Sequence, residues 1–310
     1  MPSNQNPLGA LPARFRRPRL LIVGCGDVGQ RVLRQQARAL QHGRGPRVLV
    51  LLREPARAAQ LRAAGAVPLA GDLDAPATLA RFAGLATQLL HLAPPPARGA
   101  HDTRTRALVQ ALRRRSAPRA LVYVSTTGVY GDCAGQWVDE SRPVAPATAR
   151  AQRRVDAEDM LRLLGRSGGV RTSVLRAPGI YAADRAGGTP QGRLLRATPV
   201  LRAEDDVYTN HIHADDLARA CLAALWRGRA LRTYHASDAS DLKMGDYFDL
   251  AADLYGLPRP PRVARAQAAE VLPATLLSFM GESRRLRTVR LARELRLVLR
   301  YPTVAEGLRG

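Results

Sequence analysis

The chain has 310 residues, 46% of them hydrophobic, which is enough to bury a core as one large α/β domain or two smaller units. Its formal charge of +22 would ordinarily point to a polyanionic partner, but Lys243 is the single lysine among 48 basic residues. The excess is therefore a chain-wide use of arginine, and with aromatics at 5% and no basic block interleaved with them, composition argues against specific nucleic-acid recognition. Cys25, Cys133 and Cys221 are odd in number, far apart and without C-x-x-C spacing, which predicts a reducing, cytoplasmic setting with no disulfide frame and no zinc site. No apolar run is long enough to span a bilayer, so no membrane partner is expected.

Residues 1–18 carry Pro, Asn, Gly and Arg without periodicity and read as a disordered lead-in. Arg14, Arg16, Arg17 and Arg19 ahead of Leu20 mimic the charged region of a signal peptide, but the apolar run that follows is too short for one. That run, Leu20-Leu21-Ile22-Val23, enters Gly24-Cys25-Gly26-Asp27-Val28-Gly29 and then helix-compatible sequence to about Leu40. This strand, tight turn and helix is the context a G-x-G-x-x-G dinucleotide site needs. Gly24 permits the turn, Gly26 admits a pyrophosphate, Gly29 lets the helix pack close, and the helix N-terminus favours the anion.

After a turn at Gly43 to Pro46, Val48 to Leu52 reads as a second, fully buried strand ending at Arg53. The residue there either hydrogen-bonds the ribose 2′-hydroxyl as an acid or accommodates a 2′-phosphate as a base. Arg53 and nearby Arg57 favour NADP over NAD, with Glu54 as a competitor for the ribose. Ala66 to Leu69 forms a short third strand before an acidic turn in which Asp72 and Leu73 lie beside the adenine or Asp72 serves turn chemistry; Asp74 or Thr78 is placed to cap a helix running to about Phe82. A fourth strand, Ala86 to Leu92, ends in the rigid wall Ala93-Pro94-Pro95-Pro96; a helix from Asp102 to Arg115 and a fifth strand, Ala120 to Val124, follow. Alternating strands and helices predict an α/β chain with a doubly wound parallel sheet of Rossmann type.

From Tyr123 through Ser125-Thr126-Thr127-Gly128-Val129-Tyr130-Gly131-Asp132 the chain resembles the extended short-chain dehydrogenase/reductase superfamily, the NAD-dependent epimerase/dehydratase group. Val138-Asp139-Glu140, Thr172 to Tyr181 with Ala177-Pro178, and Asn210 to Ala218 match in register. Ser283 to Leu286 and Tyr301-Pro302-Thr303 resemble the ending of an atypical bacterial branch. The resemblance implies a dinucleotide-binding lobe of 19–182 plus 207–240 and a substrate lobe of 183–206 plus 241–310. It implies an NAD(P)-binding oxidoreductase or epimerase-like protein acting on a small molecule. Cofactor contacts are expected from Gly24, Gly26, Asp27, Val28, Gly29, Arg53, Asp72, Leu73, Ala93, Pro94, Ser125, Ala177 and Pro178.

The same resemblance exposes a departure. Members of the group use a Ser/Thr to orient the substrate oxygen and a Tyr-x-x-x-Lys pair in which the phenol transfers the proton. Thr126 takes the Ser/Thr position, whereas Thr127 and Gly128 stand where sugar dehydratases carry an acidic pair, which disfavours dehydration. Anchoring the following helix on Glu158 puts Arg154 at the lysine and Arg150 at the tyrosine. Arg154 can still bond a ribose, but Arg150 is no proton donor near neutrality. A dinucleotide-bound protein with weak or no turnover, regulatory or structural, is the alternative. Tyr130 and Tyr181 read as packing residues, and His211, His213, Asp215 and Asp216 as support for the cofactor lobe rather than a metal site, with Asp215 as a helix N-cap. Arg284, Arg285, Arg287, Arg290 and Arg293 in a final helical region form either a grip for a substrate phosphate or a solvated face.

Overall fold

The computed structural model describes residues 17–41 and 45–309; the proposed lead-in up to residue 16, with Arg14 and Arg16, and the Gly43-Arg44 part of the first turn lie outside them. Seven strands make one parallel sheet: β1 (Arg19–Val23), β2 (Arg47–Leu52), β3 (Val67–Ala70), β4 (Gln88–His91), β5 (Ala120–Thr126), β6 (Arg171–Ala177) and β7 (Arg232–His235). Their spatial order is β7-β6-β5-β4-β1-β2-β3, so the order reverses between β1 and β4. That reversal opens the crevice where such sheets take ligands.

Strands β1, β2 and most of β5, with the centre of β4, are apolar because both faces are covered, whereas β6 and β7 at the other end of the sheet bury Thr172, Ser173, Arg176, Thr233 and His235. Alternation sends Leu20, Ile22, Val48 and Val50 to one side, against α1 (Asp27–Gln41) and Leu217, Cys221 and Leu225 of a later helix, Ala214–Arg227. Leu21, Val23, Leu49 and Leu51 face the other side, beneath α2 (Thr103–Leu112) and α3 (Ala149–Gly168), which contribute Leu108, Leu112, Leu161 and Leu164. The helix after β6 is accordingly α4 (Ala214–Arg227). A separate apolar cluster gathers Tyr181, Leu194, Val200 and Val207 around Met244 and Phe248 of α5 (Met244–Tyr255).

Several boundaries differ from the sequence reading. The fifth strand runs two residues further, because Ser125 and Thr126 keep pairing with Arg176 and Ala177. Pro76–Phe82 is a 3-10 turn with no side-chain cap: Thr78 Oγ1 bonds the Ala75 carbonyl at 2.7 Å and accepts from the Asp72 amide at 2.9 Å. Asp215 does not cap α4; His213 does, its Nδ1 accepting from the Asp215 amide at 3.2 Å, which frees the Asp215 carboxylate to pair with Arg31. The expected final helical region is mostly extended, with Arg285–Leu286 paired to Trp137–Val138 and only Val289–Arg293 helical.

Candidate active site

Two clefts lie at the carboxyl ends of the strands. The first, about 410 Å³, is lined by Gly24, Gly26, Arg53, Glu54, Arg57, Asp72, Leu73, Asp74, Ala93, Pro94 and Arg104. Gly24 has φ +90°, and a Cβ there would stand 2.4 Å from the Ala93 amide nitrogen, so glycine is obligatory. A Cβ on Gly26 would meet nothing within 4 Å, whereas one on Gly29 would sit 3.2 Å from Cys25 Sγ. Thus α1 packs tightly at Gly29 and leaves open space over Gly26 at the helix start. That space adjoins the start of α1, where the unpaired first amides of a helix favour an anion.

Arg53 is 57% exposed at the end of β2 and pairs with Glu54 at 3.1 Å, a surface pair of small energetic weight, and its charge also helps to hold down the Asp74 carboxyl. Arg57 Nη2 donates to the Cys25 carbonyl at 2.8 Å and braces the glycine turn. Asp72 serves turn chemistry, accepting from the Asp74 amide at 2.9 Å, and lines the cleft as well. Arg104 escaped the sequence reading. Its fork grips Asp74 at 2.7 and 2.6 Å and holds that carboxyl below the usual carboxylate range, while Nη1 reaches the Pro94 carbonyl at 3.2 Å. No local motif marks it, because its partners lie on two other loops.

Asp27 does not face the cleft freely. It accepts from Arg31 Nε at 3.1 Å and Arg185 Nη1 at 3.2 Å. Arg31, 2% exposed, also bonds Asp215 at 2.7 Å and Asp184. Val28 is partly buried against the core.

The second cleft, about 510 Å³, is lined by residues from both parts of the chain: Thr126, Thr148, Arg150 and Pro178 from the sheet side, Arg193, Tyr247, Glu282 and Arg284 from the other. Thr126 Oγ1 accepts from the Gly128 amide at 3.2 Å. Ser125 and Ala177 are buried at the adjoining strand ends. Arg150 lies over the Phe279 ring at 4.7 Å. Arg154 turns the other way, toward β5, where Nη1 bonds both the Tyr123 hydroxyl and the Val124 carbonyl. Glu158 is fully buried, gripped by Arg176 at 3.1 and 2.7 Å and by Arg162 at 2.8 Å; burial pushes its carboxyl up, but these cations outweigh it and hold it low. It fastens α3 to β6.

Arg193 stacks on Phe248 at 4.2 Å, and its buried Nε and Nη2 find no hydrogen-bond partner among the described residues. Of the five C-terminal arginines only Arg284 lines the cleft. Arg285 and Arg287 lie over Trp137, and Arg290 bonds the Thr233 carbonyl at 3.2 Å. Tyr130 is a packing residue, its hydroxyl 2.6 Å from His235 Nε2. His211 and His213 stack on Tyr247 and Tyr301 with centroids 4.1 and 3.9 Å apart, and burial holds His211 down at about 3. Among the described residues no group of three His, Cys, Asp or Glu could hold a metal, no helix is long and apolar enough to cross a membrane, and the three cysteines are free and buried.

A model of the NAD dependent epimerase/dehydratase family matches residues 21–237. A functionally unknown conserved protein from Silicibacter pomeroyi DSS is 30% identical, with 94% of this chain and 97% of that one covered and a TM-score of 0.77. The fold is also that of the UDP-glucose 4-epimerase from Thermotoga maritima, solved with UDP-glucose (16% identity, 94% and 96% covered, TM-score 0.75). It is shared by the dTDP-glucose 4,6-dehydratase from Streptomyces venezuelae with NAD and TYD bound (22% identity, 94% of each chain, TM-score 0.74). No curated protein matches the sequence. The family match spans the glycine turn, the Thr126 strand end and the histidine-capped helix, so the sheet order and the paired clefts have one explanation: the chain belongs to the NAD dependent epimerase/dehydratase family.

Proposed function

We propose that the protein is an NADP-dependent oxidoreductase of the extended short-chain dehydrogenase/reductase type, acting in the cytoplasm on a small anionic hydroxyl or carbonyl compound. The observation that carries the reading is Arg53, set at the carboxyl end of β2 in the first cleft and held there by no more than the exposed Glu54 pair and the nearby charge of Asp74 among the described residues. A ribose 2′-phosphate there would gain a charge-assisted contact that a 2′-hydroxyl cannot give. Gly24, Gly26, Val28 and Gly29 would seat the pyrophosphate; Asp72, Leu73, Ala93 and Pro94 the adenosine; Ser125, Thr126, Ala177 and Pro178 the nicotinamide side. Asp27 would act through its contacts to Arg31 and Arg185. The bound cofactor supplies a hydride acceptor or donor. Residues 19–182 plus 207–240 would form the cofactor lobe and 183–206 plus 241–310 the substrate lobe, with the unpartnered nitrogens of Arg193 supplying donors for the substrate's anionic group.

The orientation of Arg154 favours a second reading, a cofactor-bound protein of weak turnover, because the guanidinium is committed to β5 and Arg150 cannot release a proton near neutrality. Fluorescence titration with NADPH and NADH tests the first reading. Tighter NADPH binding is expected; equal affinities remove the argument from Arg53. Native mass spectrometry of the purified protein would show any dinucleotide carried with it.

A further inference from the structure

Gly128 has no side chain, and the space beside it is bordered by a carboxylate from 154 residues further along the chain. A Cβ built on Gly128 would lie 3.6 Å from Thr126 Oγ1 and 3.8 Å from Glu282 Oε2. The hydroxyl placed to orient a substrate oxygen and a carboxylate from the C-terminal part of the chain therefore border the same small space, which a longer side chain at 128 would occupy.

We propose that Glu282 is the proton-transfer group of this site, standing in for the absent tyrosine; the inference rests on the oxidoreductase reading above. Among the described residues Glu282 is the only carboxylate lining the second cleft. Its side chain is 13% exposed, and Arg284 Nη1 fixes Oε2 at 2.8 Å while also donating to the Gly131 carbonyl at 2.9 Å, so the carboxylate is tied to the turn that carries Gly128. The Oε1 atom makes no hydrogen bond among the described residues and is free to meet a substrate hydroxyl. Tyr130 is engaged with His235, Tyr181 with the Thr303 carbonyl at 3.3 Å, and His211 is stacked and neutral, whereas Tyr208, which lines the cleft under Arg285 at 4.5 Å, is the rival phenol that the test includes.

In the oxidative direction the substrate C–H bond breaks, and an oxidised nicotinamide, if bound, would take up the hydrogen with its electron pair as hydride. The O–H bond breaks with it, the carbonyl forms, and the proton goes to Glu282. In the reductive direction the carboxyl returns that proton to the oxygen.

The test uses the full chain, NADPH, and dihydroxyacetone phosphate, 2-oxoglutarate and glyoxylate as anionic carbonyl probes, with NADPH consumption followed by absorbance. Glu282→Gln should lower kcat at least about 100-fold, keep KM and the NADPH Kd within about threefold, and abolish the fall of kcat with rising pH that a proton-donating group imposes on the reduction. Glu282→Asp should regain part of the rate, and Tyr208→Phe should keep it. Thermal melting confirms that each variant is folded. Failure of the wild type to bind NADPH sinks the functional reading itself. If NADPH binds, then retention of kcat and its pH limb in Glu282→Gln, loss of rate in Tyr208→Phe alone, or no turnover of any probe by the wild type overturns the role of Glu282.

Discussion

One nitrogen of Arg154 donates to both the Tyr123 hydroxyl and the Val124 carbonyl, each at 2.9 Å, so this α3 side chain is fastened to β5. Removing it strands a buried phenol and a strand-end carbonyl. Arg154→Ala should destabilise the fold by about 2 kcal/mol, since hydrogen bonds to charged groups are worth roughly 1.5–3 kcal/mol. Urea unfolding checks this. A variant as stable as the wild type would show that the contact contributes nothing.

The glycines of the first turn should separate cleanly. Gly24→Ala forces a Cβ to 2.4 Å from the Ala93 amide at φ +90° and should cost on the order of 3 kcal/mol or more. Gly26→Val meets only open space, so it should fold like the wild type and lose dinucleotide binding. Melting temperature and NADPH titration of the two variants measure both halves, and a folded Gly26→Val with wild-type affinity would show that the space over Gly26 is not used.

Arg53 and Arg104 line one cleft but should answer differently to the cofactor. Arg53→Ala should weaken NADPH by about 1.5–3 kcal/mol and leave NADH nearly unchanged. Both ends of the Arg104 fork are taken by Asp74, so Arg104→Ala should loosen the loop and weaken both cofactors alike. Titration of the two variants with the two cofactors is the measurement; a selective effect of Arg104→Ala would reverse the assignment.

Stability should fall on acidification from pH 7 to pH 5. Burial is the chief cause that holds His91 and His211 at about 3 and His235 at about 4, so below about 6.5 the unfolded chain takes up protons that the fold refuses. Their contribution is full above the unfolded value and is lost as pH drops toward the folded ones, about 2 kcal/mol each at pH 5. Asp238 opposes this. Burial pushes it up to about 7, so the fold keeps a proton that the unfolded chain releases above about 4, and its share of stability is lost as pH rises through that window. Three histidines against one aspartate leave a net loss on the order of 3 kcal/mol. Urea midpoints at the two pH values check the sign; an unchanged midpoint would show that the imidazoles become charged within the fold.

Most of the sheet was readable because its first five strands are built on short apolar runs; the strand Arg232–His235 was not, because Arg232-Thr233-Tyr234-His235 carries no apolar run. The first cleft was largely readable from the same runs: Gly24, Gly26, Arg53 and Asp72 follow directly after strands. The second cleft was not. Thr126, Arg193 and Glu282 meet only after folding, and Arg193 and Glu282 come from inserts without periodicity or motif. Local rules also misled where an unusual partner won. His213 caps α4 because a buried imidazole nitrogen was at hand, and the turn at Pro76 stays tight because Thr78 closes on Ala75 and Asp72.

Arg31 joins the start of α1, the insert at Asp184 and the start of α4 through three carboxylates, while Arg185 of the same insert holds Asp27 from outside. A lysine could not replace it, since one ammonium cannot hold three separated acids with the reach of a planar fork. The insert and the helix that would face the pyrophosphate therefore share one thermodynamic cycle. A ligand that altered the contacts of Asp27 would by linkage alter the free energy that holds the segment of Asp184 and Arg185 to α1, and release of that segment would change the ligand's affinity by the same factor.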